Sequence, residues 1–255
     1  MKYIFTILLF ILTHKSYAQL DNVHYLQPMT SLNTGGITQE FLYLSTPSTD
    51  LITVKITFPD EITSPRIAVG NALGQNETVI TNGTVTLSNT SPIRIRFLTS
   101  TGTTAHTPLK GNSPITPSRA YVNRVIKSNE NIGLVLKSEH RFYANYRGRS
   151  TNQAGSMLSK GQAALGKQFF WLGLPTEVTP GSSTVSNTSI NKVLSIMATE
   201  DNTTVTLSGY DNGLQFLTYT SVTTLGTTHT INLNKGESYI YVVPVDTSAR
   251  RDMVI

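Results

Sequence analysis

The sequence predicts an all-β protein made of two tandem antiparallel β-sandwich modules of jelly-roll type, and three observations predict it. Apolar and polar residues alternate strictly, as where Ile52, Val54, Ile56 and Phe58 are interleaved with Thr53, Lys55 and Thr57. Thr, Ser, Asn and Gly dominate the polar residues, and Ala, Leu, Glu and Lys never recur at a helical period long enough for a confident helix. A strand–turn–strand pattern also occurs twice at a constant offset, which is the mark of an internal repeat.

The chain opens on a targeting segment, residues 1–18. Lys2 supplies the positive start, "YIFTILLFILT" the apolar centre, and Ser16-Tyr17-Ala18 the small-x-small cleavage site. Cleavage after Ala18 leaves Gln19 as the first mature residue. No later run reaches the ~18 apolar residues of a membrane helix, so no span is expected after cleavage. Losing Lys2 and Lys15 with no acid lowers the net charge from +5 to +3. That is a poor balance for a nucleic-acid partner. There is no cysteine, which removes thiol catalysis and Cys-containing zinc sites. An exported chain without disulfides must then rely on its hydrophobic core.

The first module is expected over residues 19–155. Its strands read as Phe41 to Leu44, Ile52 to Phe58, Val85 to Leu87, Ile93 to Phe97, Tyr121 to Ile126, Ile132 to Leu136 and Phe142 to Tyr146. The second module is expected over 156–255, with strands Phe169 to Leu172, Val193 to Met197, Val205 to Leu207, Ile231 to Leu233 and Tyr239 to Val243. At an offset of 146, "GTVTLSNTSPIRIRFL" lies on "HTINLNKGESYIYVVP", so that Val85 matches Ile231, Leu87 matches Leu233, Ile93 matches Tyr239 and Ile95 matches Tyr241. Upstream, Val54 matches Val205. By this reading the second module is incomplete: Met253-Val254-Ile255 begins only the first of three strands that follow in the first copy, and the native chain is expected to continue.

The repeat also interprets the acids of "SIMATEDNTTVTLSGY". Glu200, Asp201 and Asn202 stand where the first copy has Pro47-Ser48-Thr49-Asp50, a turn whose short side-chain oxygens bond nearby amides. A calcium site on Glu200, Asp201 and Asn202 is the minority alternative, because oxygen ligands suit that ion although EF-hand-like spacing is missing. No cofactor and no catalytic constellation is read. "GQAALGKQ" (Gly161 to Gln168) imitates a phosphate-binding loop but has Gln168 where magnesium needs a hydroxyl. His24, His106, His140 and His229 lack metal-ligand spacing, His14 leaves with the signal, and no G-x-S-x-G elbow occurs. Asn76, Asn82, Asn89, Asn187 and Asn202 each open N-x-Ser/Thr. Arg141, Arg147 and Arg149 in "HRFYANYRGR" form a small basic patch. It reads as charged strand edge, with an acidic glycan or phosphate-bearing surface as the alternative.

The stretches "HYLQPMT", "EFLYLSTPS", "SMLSKGQAALGKQFFWLGLP", "LSIMATEDNTTVTLSGYDNG" and "INLNKGESYIYV" carry a family resemblance. The chain resembles exported Bacteroidota surface proteins that begin with a region similar to the N-terminal domain of the IgG Fc-binding protein. Many of these also carry a gliding-motility-associated C-terminal sorting domain. The resemblance implies an adhesin-type protein of the outer surface, exported by type IX secretion, with no cofactor and no catalytic residues to transfer. The sorting domain is not in this sequence.

Three functions follow from these readings. The first is a secreted or cell-surface binding module that presents loops to a glycan or an extracellular protein. The second is a carbohydrate-active enzyme or its lectin-like accessory domain, which as a hydrolase needs two facing carboxylates. The third is a structural spacer in a longer surface protein.

Overall fold

The computed structural model describes residues 19–28, 39–102, 125–126, 133–149, 154–171, 192–217 and 222–243. The expected targeting segment, the start of the expected strand at Tyr121 and the tail from 244 lie outside them. Among the described residues every strand pairing is antiparallel, and the sole helical element is a short 3-10 turn at Gly161–Ala164.

Ten strands precede that turn: β1 (Asp21–Leu26), β2 (Gln39–Ser45), β3 (Ile52–Thr57), β4 (Ile67–Asn71), β5 (Thr78–Ile80), β6 (Thr84–Leu87), β7 (Ile93–Phe97), β8 (Val125–Ile126), β9 (Leu134–Arg149) and β10 (Ala154–Leu158). All but β8 form one sandwich whose layers share β9. In one layer the order is β5-β4-β7-β2-β9-β10, and in the other it is β1-β9-β3-β6. The first half of β9 pairs β1 and β3 through residues such as Leu136, opposite both His24 and Ile56. Its second half pairs β2 and β10, with Tyr146 opposite both Leu42 and Met157. A single strand that changes sheets closes one side of the sandwich. Alternate residues of both layers meet in one core, including Leu42, Leu44, Val54, Ile56, Ile95, Phe97, Leu136, Phe142 and Tyr146.

Two sequence expectations are corrected by this layer. Ile132 to Leu136 and Phe142 to Tyr146 were read as two strands, but residues 134–149 are one continuous strand. The polar stretch Lys137 to Arg141 looks like a loop. It contains no Gly, Pro or Asn to turn the chain, and it stays extended where β9 crosses from one sheet to the other. Phe169 to Leu172 is not a strand over its described part. Phe169 and Phe170 are 67% and 87% exposed, and Trp171 packs on a second core instead. Six strands carry no clean alternation in the sequence and were not expected: β1, β4, β5 and β10 here, with two more below.

The second set comprises β11 (Lys192–Met197), β12 (Thr203–Ser208), β13 (Gln215–Leu217), β14 (Val222–Thr224), β15 (Thr228–Leu233) and β16 (Ser238–Val243). Three of its pairings repeat those among β2 to β7: β11 with β16 as β2 with β7, β12 with β15 as β3 with β6, and β13 with β14 as β4 with β5. Val54 faces Val85 in the first set, and their matched residues Val205 and Ile231 face each other in the second. Leu42 faces Ile95, as Leu194 faces Tyr241; Leu44 faces Ile93, as Ile196 faces Tyr239. The β4–β5 hairpin lies on β7, and the β13–β14 hairpin lies against β16. A second core collects Tyr210, Phe216, Leu233, Tyr239, Tyr241 and Val243. β8 joins this set by pairing with β16 at Tyr239 and Ser238, whereas β10 runs across residues 155 and 156 as an edge strand of the large sheet.

The two sets touch at the turn between β3 and β4. Glu61 there pairs with Lys137 of β9 and with Lys235 of the β15–β16 turn, the latter at 2.9 Å. Gly236 sits so close that a Cβ on it would lie 2.9 Å from the Pro59 Cβ, and its φ of +81° already favours glycine.

Candidate functional site

The outward face of the larger layer carries the most developed recognition chemistry among the described residues. Because side chains alternate, the partners of core residues point outward in rows across neighbouring strands. One row runs Ser156, Arg147, Phe41, Arg96, and the next brings Asn145, Tyr43 and Arg94 together. A cleft of about 470 Å³ lies over β2, β9 and β10, lined by Tyr43, Asn145, Arg147, Ala154, Gly155 and Ser156. Small residues on β10 open the space, and Tyr43 offers a half-buried ring at its floor.

The charges on this face are divided. Glu77 binds Arg94 and Arg96 together; its hydrogen bond from Arg96, with the charges of both arginines, holds its carboxyl below the usual range. The Arg94 guanidinium lies 5.0 Å from the centre of the buried Phe41 ring. Arg147 is exposed and has no acidic partner among the described residues. Cation, aromatic ring, amide and hydroxyl thus converge on rigid strands, an arrangement that can hold a polar or anionic ligand.

The acids singled out in the sequence are placed in a turn. Asn202 has a left-handed φ of 55°, the Thr203 hydroxyl donates to the Glu200 carbonyl at 2.8 Å, and Asp201 Oδ1 accepts from the Lys235 amide at 3.0 Å. Asp201 therefore ties the β11–β12 turn to the β15–β16 turn. Among the described residues, Glu200 and Asp201 join no group of three potential metal-binding side chains.

The phosphate-loop imitation at Gly161 is closed by an acid. Asp21 accepts hydrogen bonds from the Gln162 amide at 2.7 Å and from its side chain at 3.1 Å. Burial alone would raise the Asp21 pKa, but the bonds from Gln162 and Asn22 outweigh it and lower it. A carboxylate sits where the loop would cradle a phosphate. Beside it, His24 is fully buried, with Nε2 donating to the Phe142 carbonyl and Nδ1 accepting from the Ser159 hydroxyl, both at 2.9 Å. Burial lowers its pKa, so it is the neutral ring that satisfies this pattern. The pair has the composition of a nucleophile and its base, but both are sealed from solvent and lock β1 to β10 and β9.

Among the remaining histidines, His229 Nδ1 meets the Tyr241 hydroxyl at 2.9 Å within the second core, and His140 is exposed on β9. His106 and Asn187 lie outside the described residues. Asn76 has a left-handed φ of 57°, and Asn82 accepts from the Thr84 amide, so these N-x-Thr sites also serve as turns.

Residues 154–252 match the family model described as IgGFc binding protein. The matched region runs from β10 through the connector and the whole second set, and so includes Ser159, Gly161 and the Glu200–Asn202 turn. It contains three of the six cleft residues, Ala154, Gly155 and Ser156. Tyr43, Asn145 and Arg147 lie before it. No curated protein and no solved structure matches the chain. Sequence reasoning had noted Arg147 as part of a basic patch but missed Tyr43 and Ser156. Only the pairing of three separate strands brings them together, and a single sequence carries no sign of it.

Proposed function

We propose that this protein is a non-catalytic binding module of adhesin type, exported and displayed at the outer cell surface. Its ligand cleft is the outward face of β2, β9 and β10. The observation that carries this reading is the convergence of Tyr43, Asn145, Arg147 and Ser156 on one rigid sheet face, with a cation that has no acidic partner among the described residues beside an aromatic ring. These groups stack on, neutralise and hydrogen-bond a ligand without offering it a nucleophile or a pair of facing carboxylates. A glycan bearing carboxylate or sulfate groups fits that chemistry. The exported, Bacteroidota-type surface fate rests on the leader-like residues 1–18 and on the resemblance. It is compatible with the finding that no described helix is long and apolar enough to cross a membrane.

A second reading has one specific observation in its favour. The family matched over 154–252 is named for binding the Fc part of IgG, so an extracellular protein is the other ligand class. Binding of the purified chain to an array holding acidic glycans, neutral glycans and immobilised Fc separates the two. Retention on acidic glycans that is lost in Arg147→Ala and Tyr43→Ala supports the cleft. Retention on Fc alone, unchanged by either substitution, replaces it with the protein reading.

A further inference from the structure

The sheet face that carries the cleft holds a second group of cationic donors, on β7. Arg147, Phe41 and Arg96 stand opposite one another across β9, β2 and β7, so the two cations are two strand spacings apart, or ~10 Å. Arg96 grips the Glu77 carboxylate with both arms of its fork: Nε donates to Oε1 at 3.3 Å and Nη2 to Oε2 at 2.5 Å. Arg94 Nη2 adds a contact to Oε1 at 3.3 Å. Glu77, just before β5, is the sole acid on this face among the described residues.

Arg94 is held in place without Glu77. Its Nη2 also donates to the Gly74 carbonyl at 3.1 Å, and its guanidinium lies over the Phe41 ring. A Cβ on Gly74 would fall 1.7 Å from the guanidinium carbon, so the turn admits the cation only because that residue is glycine. The turn is shaped by Asn71, whose Oδ1 accepts from the Leu73 and Gln75 amides at 3.1 and 2.9 Å. Donor capacity is left over, since the buried Arg94 Nε has no hydrogen-bond partner among the described residues. Glu77 thus occupies a site that other residues build. The paired side chains keep 21–24% exposure, and ion pairs so open to water are exchanged readily for another anion.

We propose that Arg94 and Arg96 form a second anion subsite, which takes a carboxylate or sulfate of a ligand already held at Arg147, and that Glu77 is its internal occupant. The proposal rests on the cleft reading above and adds the form of the ligand. That ligand is an extended polyanionic glycan that crosses the strands, with acidic groups about a disaccharide apart. A single acidic sugar reaches Arg147 alone. Once Arg147 holds one group of a longer chain, the next group competes with Glu77 at a high local concentration. Glu77 in turn keeps isolated small anions out of the subsite, so that long ligands are selected over short ones.

The test titrates the full chain with sulfated dextran oligosaccharides as the probe and unsulfated dextran as the control. Glu77→Gln should bind the sulfated probe about fivefold tighter than the parent, because the subsite no longer has an internal competitor. Its affinity should also fall more steeply as salt is raised, since one more ionic contact is made. Asp211→Asn removes the same charge from the exposed loop between β12 and β13 and should change the affinity far less. Adding Arg96→Gln to Glu77→Gln should abolish the gain, and so should adding Arg147→Ala, which removes the first anchor. Loss of binding in Arg147→Ala and Tyr43→Ala, with no gain in Glu77→Gln, would keep the cleft and overturn the subsite. A gain matched by Asp211→Asn, a gain that survives Arg96→Gln or Arg147→Ala, or equal binding of unsulfated dextran would overturn it as well. Failure of both the parent and Glu77→Gln to bind the sulfated probe would overturn the subsite together with the acidic-glycan reading.

Discussion

His24 shows how a residue that looks reactive is used for structure. Its ring reaches Ser159, 135 positions away in sequence, and the Phe142 carbonyl on a third strand. No local pattern announces such contacts, and the sequence shows only that His24 lacks metal-ligand spacing. The reading of Glu200 to Asn202 as a turn, by contrast, was legible, because Asp, Asn and Thr favour turns through their own short side chains. Ser159→Ala should destabilise the fold by about 1–3 kcal/mol, since it leaves the buried Nδ1 without a donor, and denaturant unfolding measures it. Burial depresses the native pKa of His24 below the 6.5 of an unfolded histidine. As pH falls through about 6.5, the unfolded chain therefore takes up a proton that the native chain refuses. The His24 contribution to stability is complete above that pH, declines as pH drops toward the native pKa, and levels off below it. Unfolding midpoints measured from pH 7.5 to 5 should show this slope, and His24→Gln should flatten it.

At the scale of elements, alternation located the strands that have one buried face, including β3, β6 and β7. It failed where that periodicity is absent. Ile67 and Ala68 of β4 are both buried, so the strand reads as an apolar run ending in Gly70. β9 was cut in two because its crossing point is polar. On β7, inward and outward residues should respond in opposite ways. Ile95→Asp places a charge among Leu42, Phe97 and Tyr146 and should prevent folding, while Arg94→Ala removes an ion pair and a ring contact worth about 0.5–1 kcal/mol each at a partly exposed site. Thermal melting of the two variants distinguishes them. Comparable losses would mean that the facing of β7 is misassigned.

On the scale of the whole molecule, the repeat was legible as a matched spacing of strands and turns, and its aligned residues prove to be cross-strand partners in both sets. The joint between the sets was not legible, because it depends on Pro59, Glu61, Lys235 and Gly236 meeting across the fold. Gly236→Ala should loosen it, through both a strained φ and a clash with Pro59, and the mutant should lose protection around the β15–β16 turn in hydrogen exchange. The central claim is that one six-strand unit occurs twice, with β9 along the edges of β2 and β3 in the first instance and, among the described residues, no strand along the matching edges of β11 and β12 in the second. Hydrogen exchange of the parent chain tests it most directly, by comparing edge amides of β2 and β3 with their counterparts in β11 and β12. The account predicts slow exchange along both edges of the first pair and fast exchange along the outer edges of the second, while the amides that β11 and β12 share with β16 and β15 remain protected. Equal protection of all four outer edges would contradict it.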